Sequence, residues 1–411
     1  MLHYLTCAIA HVNFTLLHGA RMYQKSSTLN HIVAGFTAVL VGYTSSIVII
    51  LQAASASGAS PSQIESWLLA LGIAMGATSI GYSWYYKTPI LTAWSTPGAA
   101  ILVSAAPNYE LQYLIGAFVF TGLCIFLTGL ISPLSKALQR IPAPLATAML
   151  GAILLPFCIR AFEPVTTTPA LFLLMFSAYI ASQRLLPRYT MLVLLIIGLV
   201  IVFHSDNNVL SATTFSFAHP SWVTPNIDLS IILNISIPLY IVTMLSQNLP
   251  GIAMMKAYDY QSPVKPILFG TGAVNMLFAP IGGFSLNLAA ISAAICMNEE
   301  IDKDKNVRYK AVLWAGVFYL CAGVLATSVV SIFLSFPTEI THMLAGFALL
   351  GTLLMCLQTA FQSKQYREPA LLTFLVTLSD VSFLNLNSTL LGLFVGWIYS
   401  LTLKTNESEK V

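Results

Sequence analysis

The sequence predicts an all-α polytopic membrane protein, and three observations predict it: composition, the spacing of apolar stretches and the distribution of basic residues. Of 411 residues, 57% are hydrophobic and only 8% are charged, and the mean hydropathy is +0.81. Soluble domains are less apolar and more highly charged. Apolar stretches of about 20 residues alternate with short polar islands, and this length lets an α-helix cross the hydrocarbon of a bilayer. We therefore expect helical membrane spans.

The apolar stretches predict about 14 transmembrane segments. The longest polar loop between spans lies near the middle of the chain and divides them seven and seven. An odd number in each half reverses the entry side of the second half, which predicts an inverted repeat. The expected units are a 1–30 N-terminal extension, a 31–204 first repeat, a 205–226 outer linker, a 227–403 second repeat and a 404–411 cytoplasmic tail.

Basic residues fix the expected orientation. If the N-terminus is cytoplasmic, 17 of the 18 lysines and arginines lie in cytoplasmic loops, and only Arg160 lies on the opposite side. This is the distribution of the positive-inside rule, and one span more or fewer would destroy it. Both termini are therefore expected in the cytoplasm. The net charge of +3 follows from these loops and calls for no nucleic-acid partner.

Two segments at matching positions, the third and tenth spans (residues 88–105 and 280–297), differ from ordinary lipid-facing helices. Each begins with an irregular stretch rich in proline or glycine and continues as a helix of small residues. Non-helical backbone deep in a membrane is tolerated only where protein or a watery cavity covers it, so the pair predicts a central site. The alternative is that both are kinked helices packed through small residues.

The predicted helix starts suggest the sign of the ligand. Ser95 or Thr96 can cap the helix of the third span, and Ser285 or Asn287 that of the tenth. Helix N-termini present free N–H groups and partial positive charge, which favour a carboxylate without a buried lysine or arginine. An anionic ligand is therefore expected.

The first and eighth spans add polar side chains. Tyr43 and Ser45 lie in the first, where serine and threonine often bond back to carbonyls of their own helix. In the eighth span, Gln247 and Asn248 are adjacent amides, and the Pro-Gly pair that follows them predicts a helix break. Buried amides are costly without a partner, so these two are better candidates for ligand contact.

Asp380 is the carboxylate that falls within a predicted span, residues 369–383. Buried there, it could handle a coupling proton; the alternative is a residue near the outer end of the span that reaches water.

Several function classes are excluded or disfavoured. The six cysteines show no CxxC spacing, so neither a zinc site nor a disulfide framework is indicated. HExxH, G-x-S-x-G, Walker and Rossmann motifs are missing from the sequence, so we expect no enzyme and no cofactor. Without an ATP-binding domain, an ion gradient is the expected energy source.

Longer strings carry a resemblance to a known family. Residues 34–46, 91–100 (LTAWSTPGAA), 246–251 (SQNLPG) and 282–296 (beginning GGFSLN) resemble the BenE family of benzoate:proton symporters. The resemblance implies import of benzoate or a related aromatic carboxylate with a proton across the bacterial inner membrane. It also implies an architecture similar to uracil-type nucleobase permeases. In those, spans 1–4 and 8–11 form a core domain, spans 5–7 and 12–14 form a gate domain, and substrate lies where spans 3 and 10 meet.

Carried over by position, the resemblance implies a site lined by Trp94, Ser95, Thr96, Ser285 and Asn287, with Gln247 reaching in from the eighth span. Where nucleobase permeases use glutamates in spans 8 and 10, this chain offers Gln247 and Asn287. That departure fits an anionic ligand and leaves the proton carrier open. The full expected substrate-binding set is Tyr43, Ser45, Trp94, Ser95, Thr96, Gln247, Asn248, Ser285 and Asn287, with Asp380 as the proton-coupling candidate.

Two other functions stay open at this stage. One is a permease of the same fold for a nucleobase or an inorganic anion, and the other is an anion channel. Proteins of this architecture often form dimers, so a homodimer is compatible with the sequence.

Overall fold

The computed structural model describes residues 28–131, 141–205, 216–261, 263–383 and 386–408. Most of the expected N-terminal extension (residues 1–27), part of the expected outer linker (206–215) and the last residues of the expected tail (409–411) lie outside the described residues.

The described chain is a succession of helices interrupted by two short strands. In chain order the main elements are α1 Thr28–Thr44, α2 Ile47–Ala56, α3 Pro61–Tyr86, β1 Thr92–Trp94, α4 Thr96–Ala105, α5 Leu111–Leu130, α6 Ala143–Arg160, α7 Pro169–Leu185, α8 Thr190–Ser205, α9 Leu229–Ala257, α10 Val264–Phe278, β2 Leu286–Leu288, α11 Ile291–Met297, α12 Tyr309–Val324, α13 Ala326–Leu334, α14 Thr338–Gln362, α15 Arg367–Leu378 and α16 Ser388–Ser408.

Seven helices of the described residues are long and apolar enough to cross a membrane, and nine spans result if each bent pair counts as one. The bent pairs are α1 with α2, at 43°, and α12 with α13, at 64°. The other predicted segments coincide with shorter helices or with strand–helix units, among them β1 with α4 and β2 with α11. The predicted all-helical membrane fold is confirmed.

The apolar pattern places the second span at Ser66–Tyr82, but α3 begins earlier, at Pro61. Ser60 and Gln63 form a capping box: the Gln63 N–H donates to Ser60 Oγ at 3.4 Å, and the Ser60 N–H donates to Gln63 Oε1 at 2.8 Å. The earlier start places Glu65 inside α3, where its carboxylate accepts a hydrogen bond from Thr327 at 2.7 Å. Asp380 was therefore wrongly singled out as the carboxylate within a span.

The break predicted in the eighth span is also wrong, since α9 runs unbroken. Two π-helical turns, Ile232–Ser236 and Met244–Asn248, each end two residues before a proline, Pro238 and Pro250. A proline clashes with the carbonyl four residues earlier, and a wider turn relieves that clash without ending the helix.

Helix packing divides the chain into two groups. In the first, α3 packs along α12 and α5 along α10; in the second, α6 packs on α14 and α15, and α15 on α16. The α3–α12 contact is close because both helices present glycine. A Cβ atom on Gly72 would lie 2.5 Å from the Gly323 Cα. Small residues that let backbones approach are a common packing device between membrane helices.

Candidate functional site

The third and tenth segments meet through their strands. β1 and β2 pair antiparallel, with Ala93 opposite Asn287 and Trp94 opposite Leu286. Directly opposed residues share one face of a strand pair and neighbours alternate, so Trp94 and Asn287 lie on opposite faces. The pairing brings the two predicted segments together, but it separates these two expected ligand contacts.

Amide side chains cover the free edge of β2. The N–H of Leu286 donates to Asn275 Oδ1 at 2.8 Å, and the N–H of Leu288 donates to Asn248 Oδ1 at 3.0 Å. All four residues are buried. An exposed strand edge inside a membrane would leave costly unpaired N–H groups, so these bonds allow a strand at this depth.

The predicted cap of the third segment is confirmed at Ser95. Its hydroxyl accepts the N–H of Gly98 at 3.0 Å and lies 3.4 Å from the Thr243 hydroxyl of α9. Thr96 is the first residue of α4. The start of α4 therefore lies between β1 and the eighth span.

The predicted cap of the tenth segment is wrong. α11 begins only at Ile291, after Ala290, and no side chain caps it. Ser285 precedes β2 in a left-handed conformation with φ of 44°, and Asn287 lies within β2. Pairing with β1 keeps the chain extended as far as Leu288, so the helix starts later than the local pattern indicated.

Trp94 joins this strand pair to the bend of the first span. Its indole N–H donates to Ser46 Oγ at 2.8 Å, and its ring centroid lies 4.7 Å from that of Tyr43. Ser45 lies in the same bend, but its hydroxyl donates to the carbonyl of Gly42 at 3.0 Å. The hydroxyl of Ser45 is thus engaged within its own helix, the alternative that its residue type suggested.

Three buried polar atoms near the strand pair have no hydrogen-bond partner among the described residues: the Tyr43 hydroxyl, Ser285 Oγ and Asn287 Oδ1. The Asn287 amide nitrogen is used, since it donates to the carbonyl of Ser285 at 3.0 Å. A buried polar atom without a partner costs about 1–3 kcal/mol. Because such atoms are uncommon, three around one strand pair indicate a surface suited to a ligand.

The two amides of the eighth span differ. Asn248 is fully buried, holds β2 through its oxygen and directs its nitrogen to Met244 Sδ at 3.3 Å. Gln247 is half-buried, and no hydrogen bond joins its side chain to the described part of the chain. Gln247 is therefore the amide that is available for a ligand.

Asp380 lies apart from this site. α15 ends at Leu378, and Asp380 follows in an exposed turn with φ of 55°. The expected position inside a span is wrong, because the helix is shorter than the apolar run. The described residues named here as lying around the strand pair are all uncharged.

Two cavities flank the bend of the first span. The Arg160 cavity, of about 430 Å³, is lined on one side by residues after the bend, among them Val48 and Gln52. The Arg188 cavity, of about 480 Å³, is lined by residues at or before the bend, among them Thr44 and Ser45. α14 from the second helix group contributes to both cavities. Of the expected site residues, Ser45 lines the Arg188 cavity, whereas neither Trp94 nor Asn287 lines either cavity. The bend of the first span thus has one cavity on each side.

Residues 25–402 match the family described as BenE, benzoate membrane transport protein. The chain belongs to the BenE family. It is 40% identical to the inner membrane protein YdcO of Escherichia coli (strain K12), over 89% of this chain and 94% of that protein. It is 36% identical to the benzoate membrane transport protein of Acinetobacter baylyi, over 94% of this chain and 98% of that protein.

Solved structures show the same fold. The transmembrane domain of the cyanobacterial bicarbonate transporter BicA matches this BenE chain with a TM-score of 0.57 at 13% identity, over 91% of this chain and 97% of that chain. SLC26A9 matches with a TM-score of 0.63 at 11% identity, over 92% of this chain and 65% of that chain. Because the chain belongs to the family described as benzoate membrane transport protein, it is a membrane transporter and not an enzyme, as the sequence predicted.

Proposed function

We propose that this BenE protein imports benzoate or a closely related aromatic carboxylate together with a proton. The relative from Acinetobacter baylyi, 36% identical over nearly its whole length, carries the name of a benzoate transport protein. Similarity at that level along the whole chain supports a related substrate. The geometry of the strand pair supports an aromatic acid in particular.

The observation that carries the proposal is the combination of unpartnered polar atoms with aromatic rings. The hydroxyls of Tyr43 and Ser285 can each donate to a carboxylate oxygen. The rings of Tyr43 and Trp94 offer faces against which a benzene ring can pack. Asn287 Oδ1 is an acceptor, and it suits the O–H of an acid that has taken up its proton.

A proton that travels on the substrate would explain why the residues around the strand pair include no acid. Removing a carboxylate from water disfavours its charged form and so favours protonation of the substrate in the site. Benzoate and a proton would then cross together as the neutral acid.

Alternating access is proposed as the transport mechanism. The first helix group acts as the core that holds substrate, and the second acts as the gate; a relative movement opens one cavity and closes the other. Because 17 of 18 basic residues fall on one side of the expected 14-span topology, we place both termini in the cytoplasm of a bacterial inner membrane. The Arg160 cavity then faces outwards and the Arg188 cavity inwards.

Proteoliposomes test the proposal directly. With an inward proton gradient, the purified protein should accumulate labelled benzoate, and a protonophore should abolish accumulation. Unchanged accumulation after the gradient collapses would remove proton coupling. Competition of labelled benzoate with unlabelled benzoate, uracil or sulfate tests the substrate class. If uracil or sulfate competes and unlabelled benzoate does not, the substrate is a nucleobase or an inorganic anion and not an aromatic carboxylate. Flux that never saturates would indicate a channel.

A further inference from the structure

We propose that Arg160 and Arg188 are anion-capture residues at the two mouths of one transport path, each binding the carboxylate of an aromatic acid before or after it occupies the uncharged central site. The inference rests on the proposed transport of aromatic carboxylates. It adds a peripheral binding site to each cavity.

The Arg160 cavity combines a cation with aromatic walls. Arg160 is the last residue of α6 and is exposed, while Phe157, Phe333 and Phe336 line the same cavity. A volume of about 430 Å³ is within the range of small-molecule sites, which are mostly apolar with a few polar groups. An aromatic ring against the phenylalanines would place a carboxylate near the guanidinium.

The guanidinium of Arg160 is free to bind an anion. The nearest carboxylate in sequence, Glu163, is engaged by His342, with Glu163 Oε2 3.3 Å from His342 Nδ1. Within the described residues, no carboxylate forms an ion pair with Arg160. An arginine fork can hold a carboxylate through two parallel hydrogen bonds.

The Arg188 cavity repeats this chemistry at the other end. Arg188 lies in the short turn between α7 and α8 and is exposed. The cavity, of about 480 Å³, also has Tyr258 and Phe347 in its wall and Gln183 as a polar neighbour. Over the described ranges, Arg188 likewise forms no ion pair with a carboxylate.

α14 lines both cavities at successive turns. On α14, His342 and Ala345 line the Arg160 cavity, and Ala348 and Gly351 line the Arg188 cavity. Each step of three residues turns the position back by about 60° around the helix, so these four positions follow α14 while winding around it. α14 therefore lines both cavities, one beyond the other along its length.

Charge at the mouths and none at the centre suits transport of an anion. An attractive potential at an entrance raises the local concentration of the ion and its association rate. An arginine at the centre would be expensive to bury and would hold the anion too firmly to release it.

The competing explanation is that both arginines only anchor helix ends at the membrane surface. Arg184 provides the matched control. It is exposed, lies four residues before Arg188 and lines neither cavity. An anchoring role predicts the same result for Arg184 as for the other two.

Sided transport kinetics test the proposal. Uptake of labelled benzoate is measured in intact cells for the outer mouth and in inside-out vesicles for the inner mouth. We expect Arg160→Gln to raise the KM in cells by about three- to fivefold, the scale of a screened exposed ion pair. Arg188→Gln should raise the KM by the same factor in inside-out vesicles. The maximum rate should change little in either variant. Arg160→Lys should restore only part of the affinity, because lysine keeps the charge but cannot form the two parallel hydrogen bonds.

Ionic strength and the Arg184→Gln control show whether the changes in KM come from binding of the anion. Raising the ionic strength to about 1 M shortens the screening length to about 3 Å, so the differences between wild type and variants should shrink. Unchanged KM values for Arg160→Gln and Arg188→Gln, or an equal change in Arg184→Gln, would overturn the capture sites. Absence of saturable benzoate transport by the wild-type protein would instead overturn the proposed function, and this inference with it.

Discussion

Asn248 and Asn287 are fully buried amides at the same strand pair, yet their oxygens are in different situations. Asn248 Oδ1 accepts the N–H of Leu288, whereas Asn287 Oδ1 has no partner within the described residues. One amide therefore supports the site, and the other is available to a ligand.

Replacing each amide should separate these two roles. We expect Asn287→Ala to weaken benzoate binding by about tenfold, the value of one hydrogen bond, with little change in the unfolding temperature. Asn248→Ala leaves the buried N–H of Leu288 without a partner and should destabilise the fold by about 1–3 kcal/mol. Thermal unfolding with and without benzoate measures both effects, since a bound ligand raises the transition. Normal binding by Asn287→Ala would place the ligand elsewhere.

Asp380 offers a test of the coupling mechanism. Because it is exposed in a turn after α15, we expect Asp380→Asn to leave proton-driven benzoate uptake unchanged. Uptake into proteoliposomes with an imposed proton gradient checks this, and Glu339→Asn is a comparison at another helix end. If only Asp380→Asn loses gradient-driven accumulation while still binding benzoate, the proton travels on Asp380 and not on the substrate.

At the scale of elements, the close α3–α12 contact depends on glycine. A Cβ atom on Gly72 would meet the Gly323 Cα at 2.5 Å, but one on Gly81, also in α3, meets nothing within 4 Å. We expect Gly72→Ala to lower stability by about 1–3 kcal/mol, as overpacking does. Gly81→Ala should leave it unchanged or raise it by up to about 1 kcal/mol, because alanine favours the helix.

Thermal unfolding of the two variants in one detergent gives the comparison. Equal transition temperatures would mean that α3 and α12 separate without cost and that the glycines do not determine the contact.

Local sequence signals predicted some elements and not others. The cap at Ser95 depends on neighbouring residues and could be recognised from the sequence. So could the irregular opening of the tenth segment, where Gly282 has a φ of 96°. The start of α11 could not, because β2 is held by pairing with β1 from the other half of the chain. Pro250 indicated an interruption in α9, but its type, a π-turn and not a break, depends on packing.

For the whole molecule, composition and basic-residue spacing were enough to predict a helical membrane fold, since both follow from the bilayer itself. The meeting of the third and tenth segments followed from the family resemblance. The two cavities did not follow, because their walls combine α1 and α2 with the distant helices α6, α7 and α14. Such surfaces depend on how two helix groups pack, which no local pattern records.

The separation of the two cavities gives a prediction about the intact transporter. Gln52 lines the Arg160 cavity and Ala294 lines the Arg188 cavity, so single cysteines there should react from opposite sides of the membrane. In a background with all six native cysteines replaced by serine, a membrane-impermeant maleimide should label Gln52→Cys in intact cells and Ala294→Cys in inside-out vesicles. Benzoate should slow both reactions, because a ligand between the cavities restricts the exchange that exposes each of them. Labelling of both positions from one side would mean that the cavities open to the same face, and alternating access around the strand pair would then be excluded.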